Sequence, residues 1–142
     1  MEEARSHAAG TSARFVHGDA TALLDDGPFD AVLVLEALHD MARPVEVLAA
    51  CRKALVAGGA MIVVDEKVAP RFTAPGDVLE RLMYGWSISH CLPAALAEQP
   101  SAGLGTVLRE ETLRELATAA GFTSVEALDV DAGFFRVYRL EG

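Results

Sequence analysis

The sequence predicts an α/β fold with a mostly parallel sheet, because strand-like and helix-like segments alternate along it. The first strand signal is the unbroken apolar centre of FDAVLVLEAL, residues 29–38, which is typical of a strand covered on both faces. AMIVVDE, residues 60–66, gives the same signal. Between these strands, apolar residues recur at helical spacing from Val47 to Leu55. The order strand, helix, strand is the unit from which parallel sheets are built.

The segments ahead of this unit are shorter. Residues 1–9 have the composition of a helix, and Arg14 to His17 is predicted as a short strand. TALLDDG, residues 21–27, predicts one or two helical turns with Leu23 and Leu24 as apolar anchors.

The helix after the first buried strand has clear end signals. Pro44 stands where the first turn of a helix tolerates proline, and Gly58-Gly59 predicts the helix end. The region 67–108 is the least regular, with a helix expected around Val78 to Ile88.

The C-terminal part predicts a helix followed by a hairpin. REETLRELATAAGF, residues 109–122, is amphipathic and has Gly121 as its stop. SVEALDV and FFRVYRL flank the turn Asp131-Ala132-Gly133, which predicts that the sheet ends in an antiparallel hairpin.

Length and charge restrict the classes of protein. The 142 residues suit one domain, and a net charge of −9 disfavours nucleic acid and anionic membrane surfaces as partners. No apolar run approaches the ~20 residues that span a bilayer, and the N-terminus lacks the apolar stretch of a secretory signal. Cys51 and Cys91 have no metal-ligand spacing, so we expect no metal, reduced thiols and a cytoplasmic location.

Acidic residues follow three consecutive predicted strands. Asp19 follows the first, Glu36 and His39-Asp40 follow the second, and Asp65-Glu66 follows the third. Parallel sheets bind ligands beyond the carboxyl ends of their strands. The pattern therefore favours a site for a ligand with hydroxyls, amines or a cationic centre over a merely polar rim.

The segments FVHGDA, FDAVLVLEALHDM, CRKALVAGGAMIVVDE and LRELATAAGF, in this order and spacing, resemble the second half of class I S-adenosylmethionine-dependent methyltransferases. Residues 87–122 are similar to a bacterial small-molecule subgroup that often carries a winged-helix segment ahead of the catalytic domain. The resemblance implies a single partial domain over residues 1–142. This domain would be a Rossmann-like methyltransferase sandwich that lacks the first two strands, with residues 67–108 as a substrate-side insertion. The implied activity is methyl transfer from S-adenosylmethionine to a small organic acceptor.

The resemblance also implies roles for residues that bind the cofactor. Asp19 would accept a hydrogen bond from the adenine amino group, and the Ala20 N–H would meet a ring nitrogen. Leu35 and Glu36 would lie beside the methionine end of the cofactor. An ordinary strand-to-helix turn at Asp19, and a solvated rim residue at Glu36, are the alternatives.

The resemblance further implies catalytic and substrate residues. LHDM is similar to LHDW in related O-methyltransferases, which implies His39 as general base and Asp40 as the group that orients its ring. Tyr84, Trp86 and His90 would line the substrate side, with core packing or helix-end packing as the alternative.

One departure from the family affects the expected activity. The family opens with a strand and a glycine-rich turn, then a second strand that ends in an acid, and neither is found here. We expect a fragment, a truncated product or half of a split protein, and the alternative function is a non-catalytic interaction module. With its edge uncovered, the FDAVLVLEAL strand predicts a homo-oligomer or a complex with a separate N-terminal piece.

Overall fold

The structure is a computed structural model that describes residues 2–142. Its strands are β1 (Phe29–Leu35), β2 (Leu55–Glu66), β3 (Ser124–Ala127) and β4 (Phe135–Glu141), which form one sheet in the order β1-β2-β4-β3. The α/β class and the C-terminal hairpin are confirmed. The sheet is mixed, however, because only β1 and β2 are parallel, and β4 pairs antiparallel with both β2 and β3. The expectation of a mostly parallel sheet was therefore wrong in the described part of the chain.

In residues 2–142, five α-helices, two 3₁₀ segments and one π-helical turn precede or connect these strands. The helices are α1 (Glu2–His7), α2 (Pro44–Ala54), α3 (Val78–Trp86), α4 (Leu92–Leu96) and α5 (Glu110–Ala119). The 3₁₀ segments are Ala20–Asp25 and Leu38–Asp40, and the π-helical turn is Ser87–Cys91. Among the described residues, no helix combines the length and apolar character needed to cross a membrane.

One face of the sheet carries the core. Side chains that alternate along the strands point under α2 and α5, where Leu48 and Leu113 are fully buried. The strand residues of this core are Val32, Val34, Met61, Val63, Tyr138 and Leu140.

The opposite face of β1 is open. Leu33 and Leu35 are 60% and 56% exposed, whereas their neighbours Val32 and Val34 are buried. The prediction that this strand is covered on both faces was wrong in the described chain, because α2 and α5 lie on the Val32 side. β1 is also an edge strand, since β2 is its one hydrogen-bonded neighbour within residues 2–142.

The predicted strand Arg14 to His17 does not form. These residues have no regular structure and pair with no strand of the sheet. Arg14 instead contacts the Asp26 carboxylate at 2.5 Å. An extended segment needs a neighbouring strand to satisfy its backbone, and none lies beside it here. The next segment is a 3₁₀ helix as predicted, with Leu23 against the core but Leu24 47% exposed, so only the first leucine is an anchor.

The glycine pair after α2 belongs to β2 and does not end the helix. α2 ends at Ala54, and the strand begins at Leu55. Gly58 has φ +80°, and a Cβ on Gly59 would lie 2.9 Å from the Asp30 carbonyl oxygen. These glycines therefore permit the irregular register at the start of the β1–β2 pair.

Candidate functional site

The carboxyl ends of β1 and β2 lie side by side and position the site. Leu35 pairs with Val64, and the Glu36 N–H donates to the Val64 carbonyl at 3.0 Å. Glu36 then adopts φ +51°, a conformation that is rare for a residue other than glycine. The 3₁₀ turn that follows buries Leu38 in the core and directs His39 toward the end of β2.

His39 is bound to Asp65, the penultimate residue of β2. The Nδ1 atom lies 3.0 Å from both carboxylate oxygens, and the two side chains are 3% and 0% exposed. Asp65 is buried because strand alternation places it on the same face as Met61 and Val63. A buried carboxylate that accepts from Nδ1–H leaves Nε2 as the reactive nitrogen of the ring.

Two more carboxylates surround the ring. Asp40 Oδ1 lies 3.5 Å from His39 Nε2, and Glu66 Oε2 lies 3.6 Å from Nδ1. Both of these carboxylate oxygens are inaccessible and have no hydrogen-bond partner among the described residues. Buried polar atoms without partners are costly, so these two oxygens are candidates for contact with a bound ligand.

The cluster shifts the ionisation of its members. Burial lowers the pKa of His39, but the hydrogen bond and charge of Asp65, with the charges of Glu66 and Asp40, outweigh it and raise the pKa to about 9. Burial, together with the hydrogen bond to Asp65 and its charge, raises the pKa of Glu66 to about 8. Burial and the nearby Asp65 also raise the pKa of Glu36. Both shifts favour the protonated forms of His39 and Glu66 at neutral pH.

A cleft of about 380 Å³ adjoins this cluster. Asp40 lines it and so connects it with His39, while Asp19 and Ala20 line it from the first 3₁₀ segment. Arg43 closes one side, with its Nη2 atom 3.7 Å from Asp19 Oδ2 and 3.0 Å from Glu98 Oε1. The structure thus brings three of the predicted site residues to one cavity.

Asp19 has a local role in addition to its place in the cleft. Its Oδ1 atom accepts from the Thr21 N–H at 2.9 Å and from the Thr21 hydroxyl at 2.7 Å, which caps the 3₁₀ segment. These two bonds lower the pKa of Asp19. The Oδ2 atom is the one left for a ligand.

The predicted substrate residues are not bonded to this cluster. Tyr84 accepts a hydrogen bond from Arg109 Nη2 at 3.0 Å, Trp86 is 45% exposed, and His90 is exposed on the π-helical turn. No hydrogen bond or ion pair in residues 2–142 joins any of the three to His39. Their substrate role stays a prediction.

The sequence placed Asp65 and Glu66 in the acidic rim at a strand end but gave neither residue an individual role in the site. Parallel pairing of β1 with β2 was the signal that could have identified them, because it sets Glu36 beside the end of β2. Cys91 also approaches the cluster, since its sulfur lies within 4.8 Å of ligand atoms of His39 and Asp40. Thr106 follows Gly105, whose N–H donates to the His39 carbonyl at 3.1 Å. No sequence spacing indicates that contact.

Comparison with known proteins agrees with this architecture. A family model described as a methyltransferase domain matches residues 1–63. A demethylmenaquinone methyltransferase of Clavibacter sepedonicus is 29% identical over 150 residues, which cover 98% of this chain and 59% of that protein. These matches make the chain similar in sequence to methyltransferases, as the resemblance to the class I S-adenosylmethionine-dependent family predicts.

Solved methyltransferases share the fold. A crystal structure described as a putative O-methyltransferase of Nostoc punctiforme superposes with a TM-score of 0.68 at 19% identity, over 99% of this chain and 39% of that one. Human N-acetylserotonin methyltransferase, solved in complex with S-adenosylmethionine, gives a TM-score of 0.60 at 17% identity, over 89% and 33%. The chain thus spans well under two thirds of the length of these methyltransferases.

Proposed function

We propose that this chain carries the base and the adenine side of a methyltransferase that acts on a small organic acceptor. The observation that supports the proposal most is the buried His39–Asp65 pair beside a cleft lined by Asp19, Ala20 and Asp40. A methyl acceptor that carries a proton attacks more readily as that proton departs, and an oriented histidine is the usual group to take it.

The residues in the cleft fit S-adenosylmethionine. The cleft volume of about 380 Å³ lies within the range of small-ligand sites. Asp19 Oδ2 lies 3.7 Å from Arg43 Nη2 and accepts no hydrogen bond among the described residues, so an amino group could donate to it. Acidic Asp40, which also lines the cleft, suits a cationic ligand. When bound, the cofactor supplies an electrophilic methyl group on a positively charged sulfur.

The chain's own residues then handle the proton. Asp65 holds Nδ1–H and stabilises the ring once Nε2 has taken the acceptor's proton, the role that an oriented carboxylate plays beside a catalytic histidine. Asp40, with a side chain 35% exposed, is the member of the cluster that faces the cleft. Because the pKa of His39 is about 9, the reactive neutral ring is scarce at pH 7 and becomes commoner as the pH rises.

The first test is calorimetric titration of S-adenosylmethionine into this chain. We expect one binding site, with competition from S-adenosylhomocysteine. A folded chain without any such binding would overturn the cofactor part of the proposal.

The second test measures release of S-adenosylhomocysteine with a short-chain demethylmenaquinone analogue as the probe acceptor, a choice prompted by the name of the curated relative. We expect turnover to rise from neutral pH toward about pH 9. His39→Gln should lower it about 10²–10⁴-fold without weakening cofactor binding. His7→Gln, which removes an exposed imidazole from the N-terminal helix, is the matched control. Full turnover in His39→Gln would remove the base from the proposal.

One observation favours the second candidate function, an assembly module. The outer edge of β1 has no strand partner among the described residues, and Leu33 and Leu35 are exposed beside it. An apolar edge strand of this kind pairs readily with another chain. We propose a second copy of this chain as the occupant, because two β1 strands can pair about a two-fold axis with their side-chain faces in register.

A further inference from the structure

We infer that His39, Asp40 and Cys91 form a binding site for a divalent metal ion of the zinc class. A ligand atom from each, the imidazole nitrogen, a carboxylate oxygen and the thiol sulfur, lies within 4.8 Å of the other two. Nitrogen, oxygen and sulfur ligands together are the set that zinc prefers, whereas magnesium and calcium take oxygen alone. Three protein ligands leave a fourth position open.

The measured separation fits one shared ion. Bonds of about 2.0–2.3 Å in tetrahedral geometry place two ligand atoms roughly 3.3–3.8 Å apart. His39 Nε2 and Asp40 Oδ1 are 3.5 Å apart, and this oxygen is inaccessible and has no hydrogen-bond partner among the described residues. An ion at this position would satisfy both atoms with little movement.

Asp65 prepares the histidine for such an ion. It binds Nδ1, so Nε2 is directed at Asp40 and is the nitrogen left to coordinate. A carboxylate on the second ring nitrogen is the usual support of a zinc-bound histidine, because it fixes the ring and increases its basicity. Here that support is fully buried.

A second buried group lies beside the sulfur ligand and supports its role. Thr106 is fully buried, its hydroxyl has no hydrogen-bond partner of normal geometry among the described residues, and it lies beside the Cys91 thiol. A hydroxyl in this place could donate to a metal-bound thiolate. Cys91 ends the π-helical turn Ser87–Cys91, a rare local structure that is frequent at functional sites.

The other side of the ring is a poorer site. Glu66 Oε2 is 3.6 Å from His39 Nδ1, but Asp65 already lies 3.0 Å from that nitrogen with both oxygens. The separation of 3.0 Å between Asp65 and Nδ1 is a hydrogen-bond distance. It is shorter than the separation between two ligand atoms on one tetrahedral ion. The ion therefore belongs on the Nε2 side.

The site has a consequence for the proposed reaction. A metal ion and a proton would compete for His39 Nε2, so zinc would inhibit proton removal from an acceptor. This consequence rests on the proposed function, whereas metal binding itself does not. The sequence showed no metal spacing because Cys91 is distant from the other two ligands along the chain.

Cobalt binding to the metal-free chain tests the inference without any enzymatic activity. We expect one equivalent of Co²⁺ to give the visible absorption of a tetrahedral site and a sulfur-to-cobalt charge-transfer band, both removed by Zn²⁺. Cys91→Ser should abolish the charge-transfer band, and Asp65→Asn should weaken binding by about 10–100-fold.

Two controls separate this site from stray binding. His90→Ala removes the exposed imidazole next to Cys91, and Cys51→Ala removes the other thiol, which lies in the core. Both should keep the spectrum. A charge-transfer band that survives Cys91→Ser, or no band in the unaltered chain, would overturn the inference. Should Cys91→Ser fail to fold by circular dichroism, Asp40→Asn gives the same decision through the loss of tight binding.

Discussion

His39 Nδ1 lies 3.0 Å from both carboxylate oxygens of Asp65, although 26 residues separate the two in the chain. Both side chains are almost completely buried. The parallel pairing of β1 with β2 creates this contact, since it places the turn after one strand over the end of the next. The pair is therefore a direct product of the fold.

Asp65→Asn should lower the pKa of His39 from about 9 toward its ordinary value. The substitution removes the charge that holds the proton on the ring and leaves the burial that expels it. A histidine NMR titration measures this change in the His39 signal. Glu98→Gln, a change to an exposed carboxylate, should leave the His39 titration where it was. If Asp65→Asn also leaves the His39 titration unchanged, the Asp65 charge does not hold the proton on the ring.

The free energy of unfolding should fall as the pH rises from about 6.5 to about 9. His39 binds its proton more tightly in the folded state, so its stabilisation is complete below pH 6.5 and is lost as the pH passes about 9. Glu66 acts in the same direction between its ordinary pKa of 4.5 and about 8. Urea unfolding at a series of pH values measures the slope.

His39→Gln separates the two contributions to that slope. Without the ring, the free energy of unfolding should fall less between about pH 8 and pH 9. Above about pH 8 Glu66 has already lost its proton and contributes no further change. His17→Gln is the matched control, because His17 is exposed. Stability that does not change with pH in the unaltered chain would contradict the raised pKa values.

The sequence predicted most of the local elements but not their mutual contacts. Helical periodicity and the proline signal located α2 and α5, and the turn at Asp131 located the hairpin. Arg14 to His17 was predicted as a strand on local pattern alone, and a strand needs a neighbour that the pattern does not show. Likewise, His39 could be selected from LHDM, whereas its partner Asp65 depends on the register of two strands.

Asp19→Ala should weaken S-adenosylmethionine binding roughly tenfold, because it removes the carboxylate that the proposal assigns to the adenine amino group. The same change removes the cap on the 3₁₀ segment, so it also disturbs the local fold. Asp19→Ser keeps a capping hydroxyl without the carboxylate and isolates the ligand contact. Calorimetry should show both variants weakened. Unchanged affinity in a folded Asp19→Ser chain would take Asp19 out of the cofactor site.

The isolated chain should form a dimer through the outer edge of β1. In antiparallel pairing centred on Leu33, this leucine faces its own copy and Val32 faces Val34, so apolar faces match on both sides of the extended sheet. The same register opposes Asp30 and Glu36, two acidic residues, and added salt should therefore strengthen the dimer. Light scattering at micromolar concentration measures its mass.

Leu33→Lys places a charge on this edge and should return the chain to a monomer, as charged side chains do on natural edge strands. Val130→Lys is the matched control, because Val130 is 55% exposed but lies in the loop before β4. It should leave the dimer intact. If the unaltered chain is instead a monodisperse monomer that unfolds cooperatively, the free edge of β1 is tolerated in solution and assembly through it is wrong.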